Sequence, residues 1–146
     1  TLLRELARRG RGLRESGAFL LGKCQGERRV ITSFICYDDL DPHCLDSGVV
    51  VFDGAGYGPL WQHCRNNQLE VVADVHTHGG SARQSSDDRD HPMIATPGHV
   101  ALIVPGFAQH LVGASDVGLY EYRGNHCWRE YNGGAARSFF YIGMWG

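Results

Sequence analysis

The run Leu69-Glu70-Val71-Val72-Ala73-Asp74-Val75-His76-Thr77-His78 constrains this chain more than any other segment. Its apolar, β-branched centre (Val71, Val72, Ala73, Val75) calls for a strand buried in a sheet. Side chains alternate along a strand, so His76 and His78 leave it on the same side. Two imidazoles placed this way are half of a metal site. A Gly- and Ser-rich turn from Gly79 to Ser86 follows and leads into Asp87 and Asp88, so a third ligand can return to the same point. Two nitrogens and one oxygen suit a catalytic zinc that keeps one coordination position open. Asp74 shares the parity of the histidines, but the strand holds it one pair-spacing too far to serve as the third ligand.

At 146 residues the chain suits one domain, spanning 1–146, with room for a proper core. Fourteen Lys and Arg face sixteen Asp and Glu, and this near balance gives no global argument for nucleic acid or an anionic membrane. The local cluster Arg8, Arg9, Arg11 and Arg14 reads as the solvated face of an N-terminal helix. Five cysteines, odd in number and without a C-x-x-C pair, suggest neither a disulfide framework nor a cysteine zinc finger. A reducing, cytoplasmic setting fits them. No secretory signal is visible, nor an apolar run of the roughly 18 residues that spanning a membrane takes.

Leu2, Leu3, Leu6 and Ala7 recur at helical spacing, with Thr1 placed to cap the helix and Gly10 to end it. Ser16 to Gly22 and Arg29 to Tyr37 read as two strands of a hairpin that turns at Gln25-Gly26-Glu27. Asp38 to Gly48 reads as a loop, and Val49-Val50-Val51-Phe52 as the next strand. Pro59 to Asn66 reads as a helix with proline in its first turn and Leu60, Trp61 and Cys64 on its buried side. After the histidine strand, Asp87 begins a short helical turn, Thr96-Pro97-Gly98 breaks it, and His99 to Val104 forms a central strand. Further strands are expected at Val117 to Tyr122, His126 to Tyr131 and Ser138 to Ile142, with Asn125 and Asn132-Gly133-Gly134 as turns. The outcome is an α+β domain with a mixed sheet flanked by helices and no internal repeat.

Glu15, the pair His76-Thr77-His78, and Ser85-Ser86-Asp87-Asp88 form the pattern E…H-T-H…S-x-x-D. This resembles the JAMM motif of JAB/MPN-type metalloproteases, and most closely their prokaryotic, deubiquitinase-like members. The likeness covers nearly the whole chain, because the glutamate strand, the helix before the histidine strand and the apolar strand after the aspartate all fall in the family's order. It implies an MPN/JAB, cytidine-deaminase-like fold and a zinc isopeptidase that cuts after the C-terminal tail of ubiquitin or a ubiquitin-like protein. Zn2+ would be held by His76, His78 and Asp88, and would lower the pKa of a bound water to about 7. Glu15 would be the general base and Ser85 a hydrogen-bond donor to the oxyanion. The implied partners are a ubiquitin-like substrate and E1-like or E2-like pathway proteins, with neither nucleic acid nor membrane.

The chain departs from that pattern in two places. Gly79 stands where the family usually has proline, and the loop from His78 to Ser85 is shorter. Ser85 with Asp88 is the better register, since Arg89 stands three residues after Ser86. Asp87 and Asp90 remain rival ligands. Ser85 also reads as a helix N-cap that forms a capping-box-like pair with Asp88.

His43, His63, His91, His99, His110 and His126 lack matching spacing and read as surface or core histidines, with His91 placed to reach the site's outer hydrogen bonds. Trp61, Trp128 and Trp145 read as core or partly buried aromatics. The D-x-H-x-H opening also looks like that of PHP phosphoesterases and amidohydrolases, but their barrels need roughly 200 or more residues. A metallo-β-lactamase would need H-x-H-x-D-H, and Gly80-Ser81 occupies the last two places. A metal-free MPN scaffold would be expected to lack ligands that are present here. Processing of small sulfur-carrier proteins of the ubiquitin fold stays open beside isopeptide cleavage.

Overall fold

The computed structural model describes residues 1–131. The expected strand at Ser138 to Ile142, the turn at Asn132-Gly133-Gly134 and Trp145 lie outside the described residues. Within them the chain runs α1 (Leu2–Gly10), β1 (Gly17–Gln25), β2 (Arg28–Cys36), α2 (Tyr37–Leu40), α3 (Tyr57–Asn67), β3 (Glu70–Thr77), α4 (Ser86–Asp90), β4 (Val100–Val104), β5 (Gly118–Gly124) and β6 (Cys127–Tyr131). The six strands form one mixed sheet in the order β2-β1-β3-β4-β5-β6, so the fold is α+β as expected. Two hairpins form its flanks, and β3 pairs with β4 in parallel.

Parallel neighbours cannot be joined by a tight turn, because the chain must travel back along the sheet before entering the second strand. The β3–β4 connection, residues 78–99, therefore leaves from the end of β3 that carries the histidines, and it brings α4 with it. This topology returns Asp88 to His76 and His78.

Alternation along β1 divides the core. Ala18 and Leu20 join Val75, Leu102, Val104 and Leu119 beneath α1, whose fully buried Leu6 is flanked by Leu2, Leu3 and Ala7. Phe19 and Leu21 face the other way, onto Tyr37, Leu45 and the buried side of α3, Leu60 and Cys64. Fully burying a leucine such as Leu6 or Leu60 contributes about 1.5–3 kcal/mol. The sheet is thus held between one helix on each face, with an aromatic group of Phe19, Tyr37, Phe52 and Tyr57 packed edge to face on the α3 side.

Several expectations need correction. Val49 to Phe52 joins no strand: Val50 N–H is taken by the Glu15 side chain and Val51 N–H by the Cys44 carbonyl. Asp38 to Gly48 is not wholly loop, since Tyr37–Leu40 is a helical turn. Trp61 is 39% exposed and stacks on Tyr57 at the surface, because Leu60 and Cys64 already fill the buried face of α3. α1 does end at Gly10, and Arg11 caps it in the left-handed conformation at φ 55°. All five cysteines are free thiols. No helix among the described residues is long and apolar enough to cross a membrane.

Arg9 is not a solvated residue either. It bonds Glu5 at 2.8 Å and reaches Asp38 at 2.5 Å and Asp39 at 2.8 Å, tying α1 to α2. Hydrogen bonds from Arg8 and then Arg9 lower the Glu5 carboxyl from 4.5 to about 2. A depressed carboxyl stabilises the fold above its unfolded pKa and loses that contribution as pH falls through its folded one. Urea denaturation should therefore show wild-type stability falling between about pH 4.5 and 2 more steeply than in Glu5→Gln. Equal slopes would remove Glu5 from the anchoring of α1.

Candidate metal centre

Glu15 directly precedes β1, and His76 lies near the end of β3, with Gly17 and His76 paired across the two strands. Between the histidines, Thr77 points the opposite way and is fully buried. Its hydroxyl accepts from Ser16 N–H at 3.0 Å, and its own N–H donates to the Ser16 carbonyl at 2.8 Å. Ser16 Oγ in turn donates to the Leu6 carbonyl of α1 at 2.8 Å. This clamp fixes the start of β1 against the end of β3, and so sets Glu15 beside the two imidazoles.

His76, His78 and Asp88 converge, with one ligand atom from each lying within 4.8 Å of the others. The two Nε2 atoms are 3.0 Å apart. Asp88 Oδ1 is 3.1 Å from His76 Nε2, and Asp88 Oδ2 is 3.3 Å from His78 Nε2. Donor atoms at the corners of a tetrahedron around zinc, each about 2.05 Å from the ion, would be separated by about 3.3 Å. The donor set and its spacing fit a metal ion. Asp87 and Asp90, the rival carboxylates, are not part of the cluster.

Charge is concentrated here behind partial cover, with side-chain exposure of 9% for His76, 13% for His78 and 19% for Asp88. Burial pushes the Asp88 carboxyl up, but hydrogen bonds with His76 and His78 outweigh it and hold the group well below the usual range. Burial pulls His78 down, and the neighbouring Asp88 and Glu15 carboxylates more than reverse this. The paired acids and imidazoles thus favour net positive charge at one point, a demand that a divalent cation meets better than shared protons.

Glu15 accepts from Val50 N–H at 3.1 Å through Oε2, while Oε1 lies 3.7 Å from His78 Nε2. Its own N–H donates to the Gly48 carbonyl at 2.9 Å. The 49–52 segment thus anchors the carboxylate and leaves one oxygen toward the histidines. Ser85 is the N-cap of α4 in a complete capping box: its N–H donates to Asp88 Oδ2 at 2.6 Å, and Asp88 N–H donates to Ser85 Oγ at 3.1 Å. Ser85 Oγ also lies 2.9 Å from Asp88 Oδ2. The serine expected at the oxyanion is therefore also what aims the third ligand.

Asp74 is withheld from the cluster. Its Oδ1 pairs with His99 Nε2 at 2.6 Å and its Oδ2 accepts from Tyr37 Oη at 3.2 Å, all three residues being buried. His99 is thus a core histidine with a specific partner. His91 borders the cleft with its ring exposed and makes no hydrogen bond to the carboxylates. The cleft, about 810 Å³, is bordered by Val49, Val51, Phe52, Arg83, Met93 and Trp128. Sequence reasoning missed the Ser16–Thr77 clamp and the 49–52 wall. Only the shared parity of Asp74 hinted at the buried trio.

Gly79 has a local reason. A Cβ there would lie 2.6 Å from the Phe107 ring, and Phe107, at φ 52°, donates its N–H to the His78 carbonyl at 2.8 Å. Phe107 occupies the space that a proline ring would need.

No family model matches the chain. The solution structure of protein DSY2949 from Desulfitobacterium hafniense is similar, with a TM-score of 0.62 and 20% identity over 88% of this chain and 84% of that one. At that identity the likeness shows the fold.

Gly79→Pro should destabilise the protein by about 1–3 kcal/mol. Combined with Phe107→Gly, which removes the ring and relieves the positive φ, it should cost about 1 kcal/mol less than the sum of the single changes in a urea-melt cycle. Strict additivity would show that Phe107 is not what excludes proline.

Proposed function

We propose that this chain is a JAMM-type zinc peptidase of the JAB/MPN kind, cutting after the C-terminal tail of ubiquitin or a ubiquitin-like protein. The observation that carries the reading is the convergence of four side chains from three separated segments: Glu15 before β1, His76 and His78 on and just after β3, and Asp88 on the crossover. A zinc ion held by His76, His78 and Asp88 supplies Lewis acidity and lowers the pKa of the attacking water.

The chain's own residues do the rest. Glu15 Oε1, left free because Val50 N–H holds Oε2, takes a proton from the water as its oxygen attacks the scissile carbonyl carbon. The same oxygen then delivers that proton to the departing amine nitrogen as the C–N bond breaks, yielding a free amine and a tail that ends in a carboxylic acid, which gives up its remaining proton to solvent at neutral pH. Ser85 Oγ is placed to donate to the carbonyl oxygen once it exchanges its contact with Asp88. The two backbone N–H bonds of the capping box keep the ligand in place meanwhile. An open cleft walled by residues 49–52 has room for a threaded tail.

Cleavage of a ubiquitin-like protein carrying a C-terminal extension tests this, with the cut located by mass. Glu15→Gln should retain zinc and lose at least about 10²-fold in rate, and a chelator should abolish cleavage of the wild type. A zinc-loaded Glu15→Gln variant that cleaves normally, or a wild type inert toward all such fusions, would turn the reading toward a non-catalytic scaffold.

A further inference from the structure

The segment that carries Ser85 and Asp88 is poorly supported by its own neighbours. Residues 81–90 are mostly exposed, pair with no strand, and α4 is a single short turn. Two side chains from the β5–β6 hairpin grip this segment on either side of Asp88. Tyr120 Oη donates to the Ala82 carbonyl at 2.7 Å, and Trp128 Nε1 donates to the Arg89 carbonyl at 3.1 Å.

The upstream grip is tight because β5 allows it. A Cβ on Gly118 would lie 2.1 Å from the Ala82 carbonyl oxygen, so that carbonyl sits against bare backbone. Tyr120 is itself buried, which keeps its hydroxyl from exchanging the carbonyl for water. The next residue, Arg83, has its backbone close to the His78 ring. Downstream, the Trp128 ring is held edge-on against Tyr122 at 4.9 Å, which fixes the direction of its N–H. One strap therefore bears on two ligands: on His78 through Arg83, and on Asp88 from both ends of its segment.

We infer that Tyr120 and Trp128 are positioning residues for the metal centre, acting through the Ala82 and Arg89 carbonyls to hold Asp88 and the His78 ring at ligand distance. This rests on the reading of His76, His78 and Asp88 as metal ligands. Hydrogen-bond partners one step removed from a metal typically alter affinity by about 10–100-fold. Neither residue touches the ligands, so their removal should change how the ion is held without removing a donor atom.

The test measures zinc affinity of the intact chain by competition with a chromogenic chelator for wild type, Tyr120→Phe, Trp128→Phe and Glu130→Gln. Visible spectra with cobalt(II) in place of zinc, and melting temperatures of the metal-free proteins, complete it. Tyr120→Phe and Trp128→Phe should each bind zinc about tenfold more weakly and show an altered cobalt spectrum, while metal-free melting moves by only a few degrees. Glu130→Gln removes the charge of another group near Tyr120 Oη, at 3.4 Å, and should bind as wild type does. If Trp128→Phe does not fold, Tyr120→Phe carries the test, since it keeps the ring. Wild-type affinity in the folded variants, or an equal loss in Glu130→Gln, overturns the strap while leaving the metal reading intact. A wild type that binds no zinc overturns both.

Discussion

The site depends on the pairing of β1 with β3 at the level where Thr77 meets Ser16. Three backbone groups and two hydroxyls close this junction away from solvent, and Leu6 of α1 covers it through its carbonyl. Buried hydrogen bonds of this kind are worth more broken than made, because losing one partner strands the other in a dry environment. The junction therefore resists sliding of β1 along β3. A slip of one residue would turn the histidines to the opposite face and carry Glu15 away from them.

The charged cluster sits at the rim of that rigid frame. Two imidazoles, the Asp88 carboxylate and the nearby Glu15 share a partly covered end of the sheet, where water screens them less than it would at an open surface. Their proximity holds the Asp88 carboxyl low and His78 high. The raised His78 contribution is fully present below its unfolded pKa near 6.5 and fades as pH rises through its folded value. A metal requires the opposite state, neutral imidazole, so proton and cation compete for the same nitrogens.

Much of this was legible from residue order. The buried run of β3, the parity of His76 and His78, and the Ser85–Asp88 spacing carry strong periodic or capping signals, and the structure brings those residues together. What was not legible depends on tertiary demand for backbone groups. Val49, Val50 and Val51 have the β-branched character of a strand, yet the Val50 and Val51 N–H groups are claimed by Glu15 and Cys44 before a ladder can form. Arg9 lies in a basic stretch that looks solvated, and only the approach of α2 turns it into an ion-pair hub. Tyr120 and Trp128 read as ordinary strand aromatics, because nothing local shows that a loop nearly forty residues away supplies their acceptors.

The central claim is that His76, His78 and Asp88 hold one zinc ion. Zinc-edge X-ray absorption of the zinc-loaded protein tests it most directly. The prediction is a first shell of nitrogen and oxygen only, at about 2.0–2.2 Å, with the outer scattering of two imidazoles, all of it lost in Asp88→Ala or His78→Ala. A zinc–sulfur distance near 2.3 Å, or an unchanged spectrum in those variants, would place the ion elsewhere and contradict the account.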